Sequence, residues 1–468
     1  MRQRSTCLVL VVAVALASSG CGARLSPEQA AAAQRVTAQR AASAAASGSP
    51  AASGADGVRA APAAAATGAP GAVLAAANDG SGASARADAA AAASACTPTP
   101  GSTAPGVSDT EVKVGNVSTI GGPVPGLAQT FVNGAQAYLA YQNQMLGGVC
   151  GRKLTMLGAD DRLDAGVNRS ETERMLPNVL ALVGSFSAVD DGGASVLAGT
   201  NIPDVSLSIG TSRVALANNF SPNPFNPSEP SNGQVGVFSH FREAYGVRRG
   251  GVVWPAQATA RTKGQNFVND MKAAGIDPVS QNEVALTETN YVGVATKMKN
   301  DGVDIVVTAL ETNGLSRLAQ AFQQIGYTPK VAYYGAQAYG GLFPQLAGSA
   351  GDGALIALSF DIAEDTANPA VATLVQWYHR VNPGADLDTL AIEGWTAAAM
   401  FVKALELAGP APTRDNLLAA LGTFHDFDAG GLIAPIDAAG KQPPACFLIA
   451  TIQGGTWRRA ESGSGFLC

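Results

Sequence analysis

The chain has 468 residues, with 30 Lys or Arg against 36 Asp or Glu, so its formal net charge is −6. Its basic residues occur at most in pairs, such as Arg248-Arg249 and Arg458-Arg459. Because nucleic acids are held by clustered positive charge, this balance argues against a nucleic-acid partner. The segment from residue 106 to residue 468 is long enough for two or three domains.

The first 21 residues have the pattern of a secretory signal peptide. Arg2 and Arg4 precede an apolar run from Leu8 to Ala17, which is too short to span a bilayer as a mature helix. Small residues and then Gly20-Cys21 follow, and this pair is similar to a bacterial lipobox, in which the Cys thiol is lipidated. We therefore expect export and anchoring to the outer face of the cell membrane through Cys21. Ordinary secretion, with Cys21 incidental, is the alternative.

The next segment, residues 22–105, is dominated by Ala with Gly, Ser and Pro. It lacks the large apolar side chains that a core requires, so we expect a disordered linker. As a coil, such a linker reaches roughly 50 Å, which suits a domain tethered near a membrane.

Four cysteines lie beyond the head of the chain: Cys96, Cys150, Cys446 and Cys468. An even set in an exported chain indicates disulfides, and four cysteines allow three pairings. We favour Cys96–Cys150, which precede the first and second strands, and Cys446–Cys468, which enclose a predicted strand pair. A metal site is the rival interpretation, but the sequence has no Cys-x-x-Cys or Cys/His cluster.

A strand–loop–helix–strand unit begins at residue 111. Val112 and Val114 alternate with charged residues, as in a strand, and the Gly/Pro-rich loop Ser118–Gly126 follows. Apolar residues then recur at helical spacing from Leu127 to Leu139, and Leu154–Leu157 is a second strand. Such a unit predicts parallel strands with a right-handed crossover, and ligands bind at the carboxyl ends of such strands.

This unit resembles the start of the type I periplasmic-binding-protein family, in its leucine/isoleucine/valine-binding branch of solute receptors for ABC importers. The shared features are the opening strand, the Gly/Pro loop, the helix rich in Ala and Tyr, and the turn GGVCGRK at residues 147–153. The resemblance covers roughly Val107 to Cys468. It implies an α/β fold: a two-lobed clamshell, each lobe a mostly parallel sheet with flanking helices, joined by three hinge crossovers.

The resemblance also implies how the chain divides. Residues 106–222 and 359–436 form the first lobe, and residues 223–358 and 437–468 form the second. The expected strands in chain order are Val179–Gly184, Ile202–Ser208, Val247–Trp254, Val303–Leu310, Val331–Tyr334 and Leu355–Phe360. Helices are expected at Lys263–Ala274, Pro369–Arg380 and Thr389–Ala408, and a further helix, which ends in Gln320–Gly326, follows a loop at Glu311–Gly314.

In the first lobe, a Ser-rich turn follows the strand Val179–Gly184. Family members hold the ligand's carboxylate there, and the free amides of a helix N-terminus favour an anion in any protein. We therefore predict ligand contacts from Ser185, Ser187 and Ala188. The alternative is that the hydroxyls cap the helix that follows.

Further ligand contacts are predicted at the ends of other strands. The resemblance places Ser208, Gly210 and Thr211 at the cleft in the first lobe. In the second lobe, Glu311 and Gln337 follow strands, and Glu311 is suited to pair with an ammonium group. A solvated loop is the alternative for both.

The chain departs from the family at the start of a second-lobe helix. Family members often carry Tyr-Gly-x-Gly there, whereas residues 261–264 read RTKG and the Tyr is absent. Trp254, at the end of the preceding strand, offers an aromatic wall in its place, or else belongs to the core. The Arg-Thr and Asp that the family often has near residues 219–231 are also not plainly present.

No catalytic motif appears in the sequence. His240, His379 and His425 form no metal-like pair, and there is no Gly-x-Ser-x-Gly, His-Glu-x-x-His or Walker loop. We expect neither an enzyme nor a metal or other cofactor.

The predicted function is that of a monomeric solute-binding lipoprotein. It captures a small ligand by hinge closure and delivers it to an ABC permease. A branched-chain or other aliphatic amino acid is the first guess for the ligand, with a non-amino-acid carboxylate close behind. The alternatives are a receptor that senses without transport and, in another class, a secreted enzyme.

Overall fold

The computed structural model describes residues 96–101, 104–461 and 465–468. The predictions for the signal peptide, for lipidation of Cys21 and for most of the linker lie outside the described residues. The strands are β1 (Glu111–Ser118), β2 (Lys153–Asp160), β3 (Ala181–Phe186), β4 (Asp204–Leu207), β5 (Asn219–Phe220), β6 (Arg249–Pro255), β7 (Asp277–Val284), β8 (Ile305–Thr308), β9 (Val331–Tyr333), β10 (Leu355–Leu358), β11 (Leu448–Gln453) and β12 (Thr456–Arg459).

Helices connect and flank these strands. They are α1 (Gln129–Met145), α2 (Ala165–Met175), α3 (Asp191–Leu197), α4 (Thr211–Val214), α5 (Val235–Ala244), α6 (Ala258–Ala273), α7 (Val292–Asn300), α8 (Thr312–Gln324), α9 (Leu342–Ala347), α10 (Pro369–Val381), α11 (Thr389–Ala408) and α12 (Arg414–Leu421). Two turns of 3₁₀ helix lie at Ala336–Ala338 and Gly348–Gly351.

The first sheet has the strand order β2-β1-β3-β4-β5, and all its pairs are parallel. β1 and β2 pair over their full length, from Glu111 opposite Lys153 to Ser118 opposite Asp160. The parallel pairing that the opening unit predicts is therefore confirmed. Alternating side chains of β1, such as Val112 and Val114, are buried in the core, as period-two patterning requires.

The second sheet has the strand order β12-β11-β10-β9-β8-β6-β7. From β7 to β10 the pairs are parallel, and β11 and β12 close the edge as an antiparallel hairpin. The first five strands of each sheet have the same order, with the earliest strand second from the edge. The predicted α/β class, with two mostly parallel sheets and flanking helices, is confirmed.

Helices from late in the chain complete the layer against the first sheet. α11 packs on α1, with the rings of Tyr138 and Trp395 at a centroid distance of 4.9 Å. Arg414, at the start of α12, donates from Nη2 to the carbonyl of Val179, 2.7 Å away. The chain therefore passes between the two sheets three times: after β5, after β10 and before β11.

Two of these passages lie side by side. The amide of Ala434 donates to the carbonyl of Ser359 at 2.7 Å, and the amide of Asp361 donates to the carbonyl of Leu432 at 2.9 Å. The second and third passages thus form a short antiparallel pair. This pairing links the two sheets by paired backbone rather than by isolated coil.

Both predicted disulfides are present. Cys96 is bonded to Cys150 and Cys446 to Cys468, and the second bond is flanked by a backbone bridge between Phe447 and Leu467. Cys96 belongs to the end of the predicted linker, where Thr99 also donates its amide to a first-lobe carbonyl at 3.1 Å. The ordered contacts of the chain therefore begin at least as early as Cys96. Among the described residues, no helix combines the length and the apolar character that a membrane crossing needs.

Two helix starts differ from the sequence prediction. α6 begins at Ala258, because strand β6 ends at Pro255 and only a short turn intervenes. α8 begins at Thr312, within the segment predicted as a loop, because Glu311 caps it with its carboxylate. In both cases the local turn or cap, rather than apolar periodicity, sets the boundary.

Candidate functional site

A cavity of about 790 Å³ lies where the three passages meet. Its walls come from the carboxyl ends of β4, β9 and β10, from the start of α5, from the middle of α6 between Thr262 and Phe267, and from Glu393 of α11. The passages themselves supply residues 223–234, 357–360 and 443–447. The volume is in the range of pockets that enclose small organic ligands.

Three of the eight predicted binding residues line this cavity. They are Ser208 and Thr211, beyond the end of β4, and Gln337, beyond the end of β9. Ser185, Ser187, Ala188, Gly210 and Glu311 are not in its lining. All eight remain predictions, and the hydrogen bonds around several of the residues outside the lining show what those groups do in this structure.

The hydroxyls of the Ser-rich turn point into the first lobe. Ser185 Oγ accepts from the amide of Val117 at 3.1 Å. Ser187 Oγ bonds to the carboxylate of Asp161 and accepts from Asn168 Nδ2 at 3.2 Å. Both serines are buried, and neither hydroxyl caps α3. The turn is therefore fixed by internal hydrogen bonds that leave the hydroxyls already partnered.

The first-lobe loop that contains Gly210 is held by the start of α3. Asp190 accepts from the amides of Ile209 and Gly210, both at 2.9 Å. A Cβ at Gly210 would lie 2.4 Å from an oxygen of Asp190, so any larger residue there would displace the carboxylate that holds this loop. Burial raises the pKa of Asp190, which the charge of Arg213 and these amides partly offset. This arrangement presents Ser208, Ile209 and Thr211 to the cavity.

Glu311 has a structural use at the start of α8. Its carboxylate accepts from the amides of Asn313 and Gly314 at 2.7 and 2.6 Å, which satisfies two free donors of the helix end. Its carboxylate is exposed and outside the cavity lining.

A buried carboxylate that sequence reasoning missed faces the cavity from the first lobe. Glu393 lies in α11 and is only 8% exposed. Its Oε1 accepts from Asn223 Nδ2, on the first passage, at 2.9 Å. Burial raises the pKa of Glu393 to about 7, with Asp388 adding to the rise and Asn223 and Lys263 opposing it. The signal was a lone acidic residue within an otherwise apolar stretch, IEGWTAAAMFV.

A cation faces the same cavity from the second lobe. Lys263 lies in α6, in the stretch RTKG that lacks the family's Tyr. Within the described residues its Nζ forms no hydrogen bond or ion pair, and its nearest recorded contact is the ring of Phe267, 5.9 Å from Nζ to the centroid. Lys263 is exposed as a whole. Partial desolvation by the surrounding protein lowers the pKa of its amino group, and the charge of Glu393 partly offsets this.

The remaining lining is mainly apolar and aromatic. Phe225, Phe267, Tyr333, Leu358 and Phe360 contribute to it. The hydroxyl of Tyr333 donates to Gln234 Oε1 at 2.7 Å, which holds this ring in place. The cavity lining thus combines an apolar surface with one basic residue, Lys263, and two acidic residues, the exposed Glu229 and the buried Glu393.

Trp254, the suggested replacement for the absent Tyr, lies outside the lining. It is buried, donates from Nε1 to Glu283 at 3.1 Å and packs against Gly264. These contacts match the core interpretation of this residue. Among the parts of the chain that the structure describes, no three His, Cys, Asp or Glu residues are grouped to hold a metal ion.

The two sheets, the three passages and the cavity between them define a two-lobed solute-binding fold. Residues 111–456 match the family described as periplasmic binding protein, and the chain belongs to that family. The resemblance that the sequence shows to type I periplasmic binding proteins is thereby confirmed. No curated protein matches the chain.

Solved structures share the fold at low sequence identity. A branched-chain amino acid ABC transporter protein from Thermus thermophilus with bound valine is 15% identical; the match covers 76% of this chain and 97% of that one, with a TM-score of 0.63. A fatty acid ABC transporter substrate-binding protein from Thermomonospora curvata is 19% identical; the match covers 78% of this chain and 94% of that one, with a TM-score of 0.63. A solute-binding protein from R. palustris in complex with benzoate is 18% identical; the match covers 76% of this chain and 96% of that one, with a TM-score of 0.60.

Proposed function

We propose that this chain is an extracytoplasmic solute-binding lipoprotein that captures a small ligand and delivers it to an ABC permease. The observation that carries the proposal is the cavity of about 790 Å³, which both sheets line and at which all three passages meet. A ligand in that position contacts both lobes only when they are closed. It therefore stabilises the closed state by its differential affinity for the two states.

An aliphatic amino acid is the first candidate ligand. The apolar lining suits an aliphatic side chain, Lys263 offers a positive charge, and Glu393 is the buried one of the two acidic residues in the lining. A carboxylate without an amino group is the second candidate, because Lys263 alone would satisfy it. The solved structures named above carry valine and benzoate, which both contain a carboxylate.

The lobe boundaries form part of the proposal. We assign residues 106–222 and 359–436 to the first lobe and residues 223–358 and 437–468 to the second. The strands of each sheet fall within these ranges, and α10 to α12 lie in the first. We further propose that the protein acts as a monomer, is anchored through Cys21 and performs no catalysis.

The test is a thermal-shift screen of the purified protein against aliphatic amino acids, amides, urea and aromatic acids. A compound present at 100 times its Kd adds roughly 2.7 kcal/mol to the free energy of unfolding and visibly raises the melting temperature. The expected result is a rise with one chemical class. A melting temperature that no compound raises, even after unfolding and refolding to remove a carried-over ligand, would contradict the proposal.

Delivery to a permease is tested separately. Cells that lack this chain should take up the labelled ligand more slowly than cells that contain it, and restoring the chain should restore the rate. Equal uptake in both strains, with binding intact, would favour sensing over transport.

A further inference from the structure

We infer that Lys263 and Glu393 are the two polar contacts of the ligand, and that the ligand is a zwitterion whose carboxylate binds Lys263 and whose ammonium binds Glu393. The inference rests on the proposed solute-binding function and names residues and a ligand class within it. Neither residue belongs to the set that the family resemblance predicts. Both line the cavity, one from each lobe.

Lys263 is a cation that lacks a partner. Lys263 lines the cavity, and among the described residues its Nζ forms no hydrogen bond or ion pair; the ring of Phe267 lies 5.9 Å from Nζ. The side chain of Lys263 is exposed, so water solvates its charge when no ligand is bound. A carboxylate in the cavity would supply both the charge and the acceptors.

Glu393 presents a carboxylate that is half satisfied. Asn223 donates to Oε1 at 2.9 Å, and no other hydrogen bond to this carboxylate is formed by the described residues. Both residues line the same cavity, and no ion pair among the described residues joins them, although each charge influences the pKa of the other. A ligand with one charge of each sign fits between them.

The position of Glu393 also connects ligand binding to the hinge. Its partner, Asn223, belongs to the first passage between the lobes, whereas Lys263 belongs to a helix of the second lobe. A zwitterion held by both residues would therefore join α11, the first passage and α6. Closure would be favoured because the two charges are satisfied together only when both lobes contact the ligand.

The experiment measures the Kd values of L-leucine, 4-methylpentanoate and 3-methylbutylamine by calorimetry at pH 8. These probes share one aliphatic skeleton and carry both charges, only the carboxylate or only the ammonium. Lys263→Met should raise the Kd values of L-leucine and 4-methylpentanoate by at least about tenfold, the effect expected when a charge-assisted hydrogen bond is lost. Glu393→Gln should raise the Kd values of L-leucine and 3-methylbutylamine and leave the Kd of 4-methylpentanoate unchanged.

Matched controls separate binding from folding. Lys272→Met removes a lysine from the same helix, and Glu406→Gln removes an acid from the same helix as Glu393; both positions lie outside the cavity lining. Both control variants should bind L-leucine as the parent protein does. Lys263→Arg, which keeps the charge, should retain most of the affinity if Lys263→Met loses it.

The outcomes distinguish the inference from the proposed function. If Lys263→Met or Glu393→Gln binds L-leucine with unchanged Kd, the inference is wrong, and the solute-binding function stands. If only uncharged compounds bind the parent protein, the inference is again overturned alone. If no compound of the wider screen binds, the proposed function fails, and the inference fails with it.

Discussion

Asp204 and Arg213 form a two-pronged ion pair inside the first lobe. Arg213 Nε lies 2.8 Å from Asp204 Oδ2, and Arg213 Nη2 lies 2.9 Å from Asp204 Oδ1. Both side chains are at most 1% exposed. The pair joins β4 to α4 across the loop that presents Ser208, Ile209 and Thr211 to the cavity. It therefore fixes one wall of the candidate site.

Removal of Asp204 should destabilise the protein strongly. Asp204→Ala would leave the Arg213 guanidinium buried without its anion, and such losses cost about 3–5 kcal/mol. The measurement is urea unfolding followed by circular dichroism. A loss below about 1 kcal/mol would show that Arg213 finds another partner.

The pH dependence of this ion pair has a definite sign. Burial alone would raise the pKa of Asp204, but the charge and hydrogen bonds of Arg213 outweigh it and the pKa is lowered. The stabilisation is therefore present above the pKa that Asp204 has in the unfolded chain, and it is lost as the pH falls through the folded value. The difference in unfolding free energy between the parent and Asp204→Ala should shrink under strong acid.

Glu393 should give the opposite pH dependence. Its pKa is raised by burial to about 7, so the folded state binds the proton more tightly than the unfolded chain does. The unfolding free energy should fall as the pH rises from about 4.5 to about 7, by an amount on the order of 2–3 kcal/mol. Glu393→Gln should remove this fall.

The readout is the difference between Glu393→Gln and the parent protein in urea unfolding, measured at several pH values without ligand. The free energy of unfolding of the variant should increase relative to that of the parent protein as the pH rises. Glu243→Gln, which removes a carboxylate with 72% side-chain exposure, is the control and should show no such trend. A pH-independent difference for Glu393→Gln would contradict the raised pKa.

Ligand affinity should depend on the same titration. Lys263, Asp388 and the Asn223 amide influence Glu393, and an ammonium-bearing ligand requires the ionised carboxylate. Because only the ionised fraction binds, the Kd of L-leucine should weaken by about tenfold between pH 8 and pH 6. In Glu393→Gln the Kd should be flat over this range. An equally pH-dependent variant would assign the titration to another group.

Much of the fold could be predicted because its signals are local. The alternation at Val112 and Val114, the breaker-rich loop after it and the long apolar face of α11 each determine one element, and Thr389–Ala408 was predicted with its observed bounds. The disulfides were also predictable, since each cysteine pair lies beside strands that the sequence identifies. Helix starts such as that of α6 were missed because a tight turn leaves little periodic signal.

The candidate site was less predictable because it depends on which groups remain unpartnered after folding. Ser187 and Glu311 are residue types that often bind ligands. In this fold, however, Ser187 already bonds to Asp161, and Glu311 already accepts from two helix amides. Lys263 and Glu393 lie far apart in sequence, and only the complete fold places both in the lining of one cavity. A sequence shows the type of each residue, but it does not show whether the polar groups of that residue already have hydrogen-bond partners in the fold.

The Cys446–Cys468 disulfide should stabilise the cavity wall. Cys446 lines the cavity, and the bond closes the segment that carries the β11–β12 hairpin. Replacing both cysteines by Ser should lower the free energy of unfolding by about 3 kcal/mol, because the unfolded chain then regains the conformational freedom that the closed loop restricts. The measurement is the melting temperature, with the parent protein under reducing conditions as a comparison. Melting temperatures that match the oxidised parent would contradict this role.

The close packing of α1 on α11 depends on two glycines. A Cβ at Gly134 would lie 1.9 Å from the carbonyl oxygen of Ala391, and a Cβ at Gly394 would lie 1.9 Å from that of Phe131. Gly134→Ala and Gly394→Ala should therefore force the helices apart and cost about 1–3 kcal/mol or more.

The control for these two variants is Gly293→Ala in α7, where an added Cβ meets no atom within 4 Å. There the same substitution should stabilise the protein by up to about 1 kcal/mol, because Ala has the higher helix propensity. Opposite signs in urea unfolding would assign the loss at Gly134 and Gly394 to the helix contact. If all three variants are stabilised, α1 and α11 do not approach as closely as their glycines allow, and the layer that carries Glu393 has room to move.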